Sequence, residues 1–223
     1  PRDGRPAAVE DAVAAEEPLE IRVDTRPVVV TMRTPGHDEE LAAGFLATEG
    51  LLHQRADVLR LAGSPRNTAG NVLDVFLAPS VRVDYAQLTR HVYASSSCGL
   101  CGRATIAAVH RRFPRLKPGF HLRASVLRRL PDRLREQQAA FALTGGLHAA
   151  GLFDARGRLL VLREDVGRHN AVDKVLGHAF LAGLWPLSRH VLLVSGRASF
   201  EILQKALAAR VPVVAAEIGR AHV

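Results

Sequence analysis

Both cysteines of this 223-residue chain stand in one short stretch, SSSCGLCGR, as Cys98 and Cys101. A Cys-x-x-Cys pair can be half of a zinc site, a dithiol–disulfide couple, a reactive thiol or sulfur carrier, or a pair of inert core thiols. Ser95, Ser96, Ser97, Gly99 and Gly102 give the pair almost no apolar neighbours, which argues against a core position. A structural zinc needs about four ligands, and the chain has no second pair. A zinc deaminase needs H-x-E followed by P-C-x-x-C; the nearest match is His37-Asp38-Glu39, with Ser97 where the proline belongs. A thioredoxin-type pair sits early in a βαβ unit, whereas this one lies mid-chain. The reading that remains is a reactive thiol on a mobile loop. Arg103 and a helix expected from about Ala104 place positive potential beside it, which favours thiolate over thiol.

Three polar words follow downstream. TGGLHAA puts Thr144, Gly145 and Gly146 before His148 at the entry to a strand, where backbone amides can approach a ligand; an ordinary turn is the plain alternative. REDVGRHNAVDK, from Arg163 to Lys174, packs six charged residues with His169 and Asn170 into a strand-to-helix junction. Asp165 is a plausible cap there and Gly167 opens the helix; a solvated helix face accounts for the charges alone but leaves the glycine and Asn170 unexplained. In strand-SGRAS-helix a buried strand ends, Ser195 and Gly196 turn, and a helix begins with free N–H groups, so anions belong there. Arg197 and Ser199 can add to the amides. With no G-x-x-x-x-G-K-[ST] and no G-x-G-x-x-G run, nucleotide hydrolysis and dinucleotide redox chemistry are disfavoured.

The elements that must position these words follow from periodicity. Leu19, Ile21 and Val23 alternate with polar residues before an Asp24-Thr25 turn and the apolar run Val28 to Met32, a β-hairpin. A helix is expected from about Asp38 to Thr48, stopped by Gly50. Short apolar segments from Ala56 to Leu61 and from Asn71 to Leu77 read as paired strands. After the cysteines come a helix over RATIAAVHRRF, a basic connector, and a second helix around Ser125 to Ala140. HAAGLFDARGRLLVLRED is a hairpin, AVDKVLGHAFLAGL an amphipathic helix, and HVLLVSG, SFEILQKALAA and VPVVAA form a βαβ crossover with parallel strands covered on both faces. The fold class is therefore α/β: a flexible tail over 1–16, a β-rich N-terminal subdomain over 17–92, and a three-layer α/β/α domain over 93–223 that carries the cysteine loop at 95–103.

A net charge of +8 and a pI near 10.6 ask for an acidic partner. Only Lys117, Lys174 and Lys205 are lysines, and arginine forks suit phosphate and carboxylate. No helix-turn-helix, zinc-finger or RNA-binding aromatic pattern is present and aromatics are few, so nucleic acid is not the expected partner. The charged, alanine-rich opening is neither a signal peptide nor a membrane span, so no membrane is expected.

RTPGHDEELAAGFLATEG, SSSCGLCGR, TGGLHAA, REDVGRHNAVDK and SGRASFEILQK occur in that order, and on them the chain resembles the formate dehydrogenase accessory sulfurtransferase family (FdhD/NarQ) over roughly Glu17 to Ala216. The resemblance implies a cytoplasmic homodimer whose C-terminal domain is similar to the cytidine deaminase fold without a tightly bound metal of its own. It implies a sulfurtransferase that takes persulfide sulfur from a cysteine desulfurase and passes it to the bis(guanine dinucleotide) molybdenum cofactor, bound as substrate, for the client formate dehydrogenase. GDP or GMP would mimic that substrate. Cys98 matches the persulfide cysteine and Cys101 its neighbour. Phosphate contacts are then expected from Ser195, Gly196, Arg197, Ser199 and Arg168, and further cofactor contacts from Thr144, Gly145, Gly146, His148, Asp165, Gly167, His169, Asn170 and Lys174. Where the family continues after VPVVAA with a further turn, helix and strand, this chain reads EIGRAHV, a shortened or altered end. Two other readings are a delivery chaperone that binds the cofactor without moving sulfur, and a zinc-dependent deaminase relative.

Overall fold

The computed structural model describes residues 10–64, 67, 69–85, 113 and 115–217. Cys98, Cys101, their loop and the helix expected over RATIAAVHRRF, save its last residue Phe113, lie outside the described residues.

Strand β1 (Glu17–Val23) turns into β2 (Arg26–Arg33) through Asp24 and Thr25, both with positive φ (47° and 68°), the backbone twist that a two-residue hairpin requires. Strands β3 (Val58–Gly63) and β4 (Val72–Leu77) pair antiparallel. β3 begins later than the sequence suggests, because Arg55–Asp57 forms a 3-10 turn whose Asp57 carboxylate accepts the N–H groups of His53 and Gln54 at 2.7 and 3.1 Å. β4 pairs parallel with β1, giving a first sheet in the order β2-β1-β4-β3. Helix α1 (Asp38–Thr48) lies on this sheet, and Leu41 and Leu46 join Leu19, Ile21, Val23 and Val75 in one core.

The helix expected around 125–140 is instead three short ones: α2 (Ala124–Leu127), α3 (Leu130–Arg135) and α4 (Ala139–Thr144). Pro131 has no N–H and restarts the helix in its first turn, while Gln138 leaves helical geometry at φ −83°, ψ 70°. Hairpin β5 (His148–Asp154) and β6 (Leu159–Asp165), strand β7 (His190–Val194), helix α6 (Phe200–Ala208) and strand β8 (Val213–Ala216) follow the sequence expectation, with α5 (Arg168–Leu181) between β6 and β7. The second sheet has the order β6-β5-β7-β8, antiparallel except for β7 and β8. One face packs on α5 and α6 through Val172, Leu176, Ile202 and Ala206, and the other on α3 through Leu130 and Leu134, so this half is α/β/α as expected.

Helix α5 departs from its amphipathic reading. It is buried nearly all round, because α1 covers the side that faces away from the second sheet. The two helices meet backbone to backbone: a Cβ on Gly44 would come 1.9 Å from the Asp173 carbonyl oxygen, and one on Gly177 would come 1.8 Å from that of Glu40. Burying so tight a crossing contributes dispersion contacts that any side chain at either position would forfeit. It also joins the first sheet, through α1, to the helix that opens the candidate site.

Candidate anion and cofactor site

Because β5 runs antiparallel to both β6 and β7, its first residue lies beside the last residues of both neighbours. His148 is in register with Asp165, and Ala150 with Val194. The segments 144–148, 165–170 and 195–199 therefore gather at one end of the second sheet, where α5 and α6 also begin. Ser195 clamps the junction: its Oγ accepts the Ala149 N–H at 2.8 Å and its own N–H donates to the Ala149 carbonyl at 2.9 Å. A Cβ on Gly196 would meet Nδ1 of His148 at 3.4 Å and Cδ of Arg168 at 3.6 Å, so all three words touch there. Ser199 stands at the N-cap of α6, and Arg197 is exposed beside it. Two helix starts, Arg168 and Arg197 concentrate positive potential on this end.

A cleft of about 380 Å³ opens here, lined by Gly145, Gly146, His148 and Ser195 together with Arg135, Gln138, Phe141, Leu147 and Glu217. Thr144 closes α4 by donating to the Ala140 carbonyl at 2.8 Å, and Gly145 leaves the helix at φ 64°, which a side chain would strain. Phe141 and Arg135 form a wall, the guanidinium 5.7 Å from the ring centroid, that suits a flat heterocycle. Gly146 lies against the segment that precedes β1, with Ala14 Cβ 3.6 Å from where its own Cβ would be.

The charges of the REDVGRHN word are mostly internal fastenings. Arg163 forks onto Glu40 of α1 at 2.6 and 2.7 Å, and Glu164 accepts the N–H groups of Ala140 and Phe141 that open α4. Asp165 is fully buried and ion-paired at 2.7 Å with Lys174, which is 1% exposed. Its two carboxylate oxygens also accept from the backbone N–H groups of Gly167 and Thr34 and from the Asn170 side chain. Lys174 donates to the Thr34 carbonyl at 2.8 Å, and Asn170 donates to the Met32 carbonyl at 2.7 Å. Asp165, Asn170 and Lys174 thus tie the end of β2 to the start of α5; contact with a ligand would cost them bonds inside the protein. Gly167 is part of the same knot, since a Cβ there would come 2.9 Å from Nδ2 of Asn170.

Arg168 and His169 open α5 at the same end of the sheet as the cleft. Burial, then Arg168, holds the His148 imidazole below its ordinary pKa, against the opposing charge of Asp165. Burial, then Lys205 and Arg168, lowers His169 to about 4, although Glu201 opposes. His169 Nε2 lies 3.4 Å from Ser199 Oγ and 3.8 Å from Glu201 Oε2. Near neutral pH both rings are uncharged and can take part in hydrogen bonds as neutral imidazoles. The folded chain keeps His169 neutral down to about 4, whereas an ordinary imidazole protonates near 6.5. Its contribution to stability is thus complete above about 6.5 and is lost as pH falls from there towards 4, by up to about 3 kcal/mol. His169→Gln is expected to flatten the fall in unfolding free energy between pH 7 and 4.5, read by urea denaturation.

Thr34, Phe141, Glu201 and Glu217 take part in the site without having been singled out by the sequence. Thr34-Pro35 signals a strand stop, but nothing in it announces a partner at Asp165. Among the described residues, no group of three or more His, Cys, Asp or Glu is arranged to hold a metal ion, and none of the helices is long and apolar enough to cross a membrane. Asp38 of the H-x-E match is forked to Arg33 at 3.0 and 2.9 Å, at the start of α1.

Residues 14–220 match the profile of the FdhD/NarQ family. The sulfur carrier protein FdhD of Mycobacterium tuberculosis is 52% identical over 217 residues, which cover 92% of this chain and 78% of that protein. The protein of the same name from Streptomyces coelicolor is 51% identical over 223 residues, covering 96% and 79%, and that from Anaeromyxobacter dehalogenans is 46% identical over 220 residues, covering 93% and 76%. The crystal structure of a putative formate dehydrogenase accessory protein from Desulfotalea psychrophila superposes with a TM-score of 0.72 at 23% identity, covering 92% of this chain and 76% of that one, and so has the same fold.

Proposed function

Since the chain belongs to the FdhD/NarQ family, we propose that it is a sulfur carrier for formate dehydrogenase, acting in the cytoplasm as a homodimer. Cys98 thiolate attacks the terminal sulfur of a persulfide held by a cysteine desulfurase. The donor's S–S bond breaks, the donor cysteine leaves as thiolate with the bonding electron pair, and Cys98 becomes a persulfide; no outside oxidant is needed. In the second half-reaction the bis(guanine dinucleotide) molybdenum cofactor would be the substrate: the Cys98 S–S bond would break, Cys98 would leave as thiolate, and the outer sulfur would become sulfide by taking two electrons from the reduced metal centre of that substrate.

The observation that carries this reading is that the TGGLH, REDVGRHN and SGRAS words come together at one end of the second sheet, at two helix starts and beside a cleft lined by Gly145, Gly146, His148 and Ser195, in a chain half-identical to proteins named sulfur carriers. We assign a guanine dinucleotide to this end of the sheet: Arg168, Arg197, Ser199 and the amides after Gly196, at the two helix starts, would take phosphate, while Phe141, Arg135 and His148 of the cleft would supply a flat wall and hydrogen bonds to a heterocycle, with the neutral His169 beside Ser199. Asp165, Asn170 and Lys174 act as positioning residues behind it. Arg197→Ala is expected to weaken GDP binding by about 1.5–3 kcal/mol, the loss of one charged hydrogen bond, in isothermal titration calorimetry. Unchanged affinity would remove the SGRAS segment from the nucleotide site. A delivery chaperone would use the same cleft and differ only in carrying no sulfur on Cys98.

A further inference from the structure

The second sheet carries a different surface at its other end, where β5 finishes and β7 begins. β5 runs from His148 at the cleft to Asp154, a span of roughly 20 Å for a strand of this length. Here lies a groove of about 800 Å³ built by four separate segments: 116–121, Ala155, 186–189 and 210–212. Lys117, Arg189 and Arg210 line it with His121, and among the described residues none that lines it is acidic; Leu116, Phe120 and three prolines supply apolar wall between the cations. An adjoining depression of about 450 Å³ shares Ala155 and Arg189 with the groove and adds Arg156, Arg158 and His190. Its one acidic residue, Asp154, is engaged by its own turn: the carboxylate accepts the N–H groups of Arg156 and Arg158, both at 2.9 Å, and pairs with the Arg158 side chain at 3.4 Å.

The two depressions together are too long for a single phosphate, and their cations are spread over several segments instead of converging on a point. Among the described lining residues Phe120 is the one aromatic ring besides the imidazoles of His121 and His190, too few for the run of stacking platforms that single-stranded nucleic acid uses. Cations interleaved with apolar wall match an extended chain whose side chains alternate between carboxylate and aliphatic. We propose that this groove docks an acidic, partly apolar segment of a partner protein. The proposal rests on the groove alone, not on the sulfur reading, and its distance from the cleft leaves partner and nucleotide free to bind together.

The test is fluorescence anisotropy at low salt, where exposed charges are least screened, with a labelled synthetic peptide of alternating Glu-Leu and Asp-Val pairs. Lys117→Glu/Arg189→Glu reverses two exposed groove cations. Arg60→Glu/Arg82→Glu, exposed on and just after the first sheet, makes the same change in net charge elsewhere. The groove variant is expected to bind the peptide roughly tenfold or more weakly than the parent, with the control close to the parent and both unfolding like it. Absence of binding by the parent, or an equal loss in the control, would overturn the proposal. So would a single-stranded oligonucleotide of equal charge that binds more tightly than the peptide and is released by the groove variant, since the surface would then serve nucleic acid.

Discussion

Cys98→Ala is expected to reduce formate dehydrogenase activity, in cells lacking the parent protein, to the level seen with no carrier at all. The reason is chemical. A sulfur carrier needs a thiolate to break the donor's S–S bond, and alanine offers no nucleophile. Cys101 is the only other thiol in the chain, so no third cysteine can substitute. Nucleophile removal is an all-or-none loss, unlike the graded loss from trimming a binding contact. GDP affinity should be unchanged in the same variant, because the nucleotide contacts are assigned to Arg168, Arg197, Ser199 and the described lining of the cleft, and not to Cys98. The pair of readouts separates a chemical defect from a folding defect: activity lost with binding retained is the expected combination. Full activity in Cys98→Ala would contradict the assignment.

Lys174→Met is expected to destabilise the fold by about 3–5 kcal/mol, because it leaves the Asp165 carboxylate buried without its counter-charge. That is a large share of the roughly 5–15 kcal/mol by which a domain is stable. The loss should appear as a lowered urea midpoint. Combining it with Asp165→Asn removes the stranded charge, and the double variant should recover much of the loss, since replacing both partners of a buried pair is far cheaper than breaking it. GDP binding should remain weakened in the double variant, because the pair also fixes Thr34 and the first turn of α5. If the single variant unfolds like the parent, the knot is not what holds the site in place.

How far the sequence could be read depended on how local the signal was. The β1–β2 hairpin, α1, the β5–β6 hairpin and the β7-α6-β8 crossover each follow from period and turn residues within a few positions, and each stands where that pattern puts it. The parallel pairing of β1 with β4 joins strands about fifty residues apart, and no local pattern encodes it. Helix α5 misled for a related reason. Asp173 and Lys174 look like a solvated face, yet Asp173 meets Lys205 at 2.7 Å and Lys174 meets Asp165, with α1 closing over them through Gly44 and Gly177. At the site, the words themselves were legible as glycine, histidine and arginine at strand ends. Which of them are fastened inside the protein was not, because the bonds that fasten them, such as Thr34 to Asp165 and Lys174, span more than 130 residues of chain.

The central claim is that sulfur travels on Cys98, and mass spectrometry of the protein after incubation with a cysteine desulfurase and free cysteine tests it most directly. The account predicts a gain of one sulfur on the Ser95 to Arg103 peptide, removed by reductant and absent in Cys98→Ala. No gain in the presence of a demonstrably active desulfurase, with GDP binding intact, would contradict it and identify the chain as a cofactor-delivery protein.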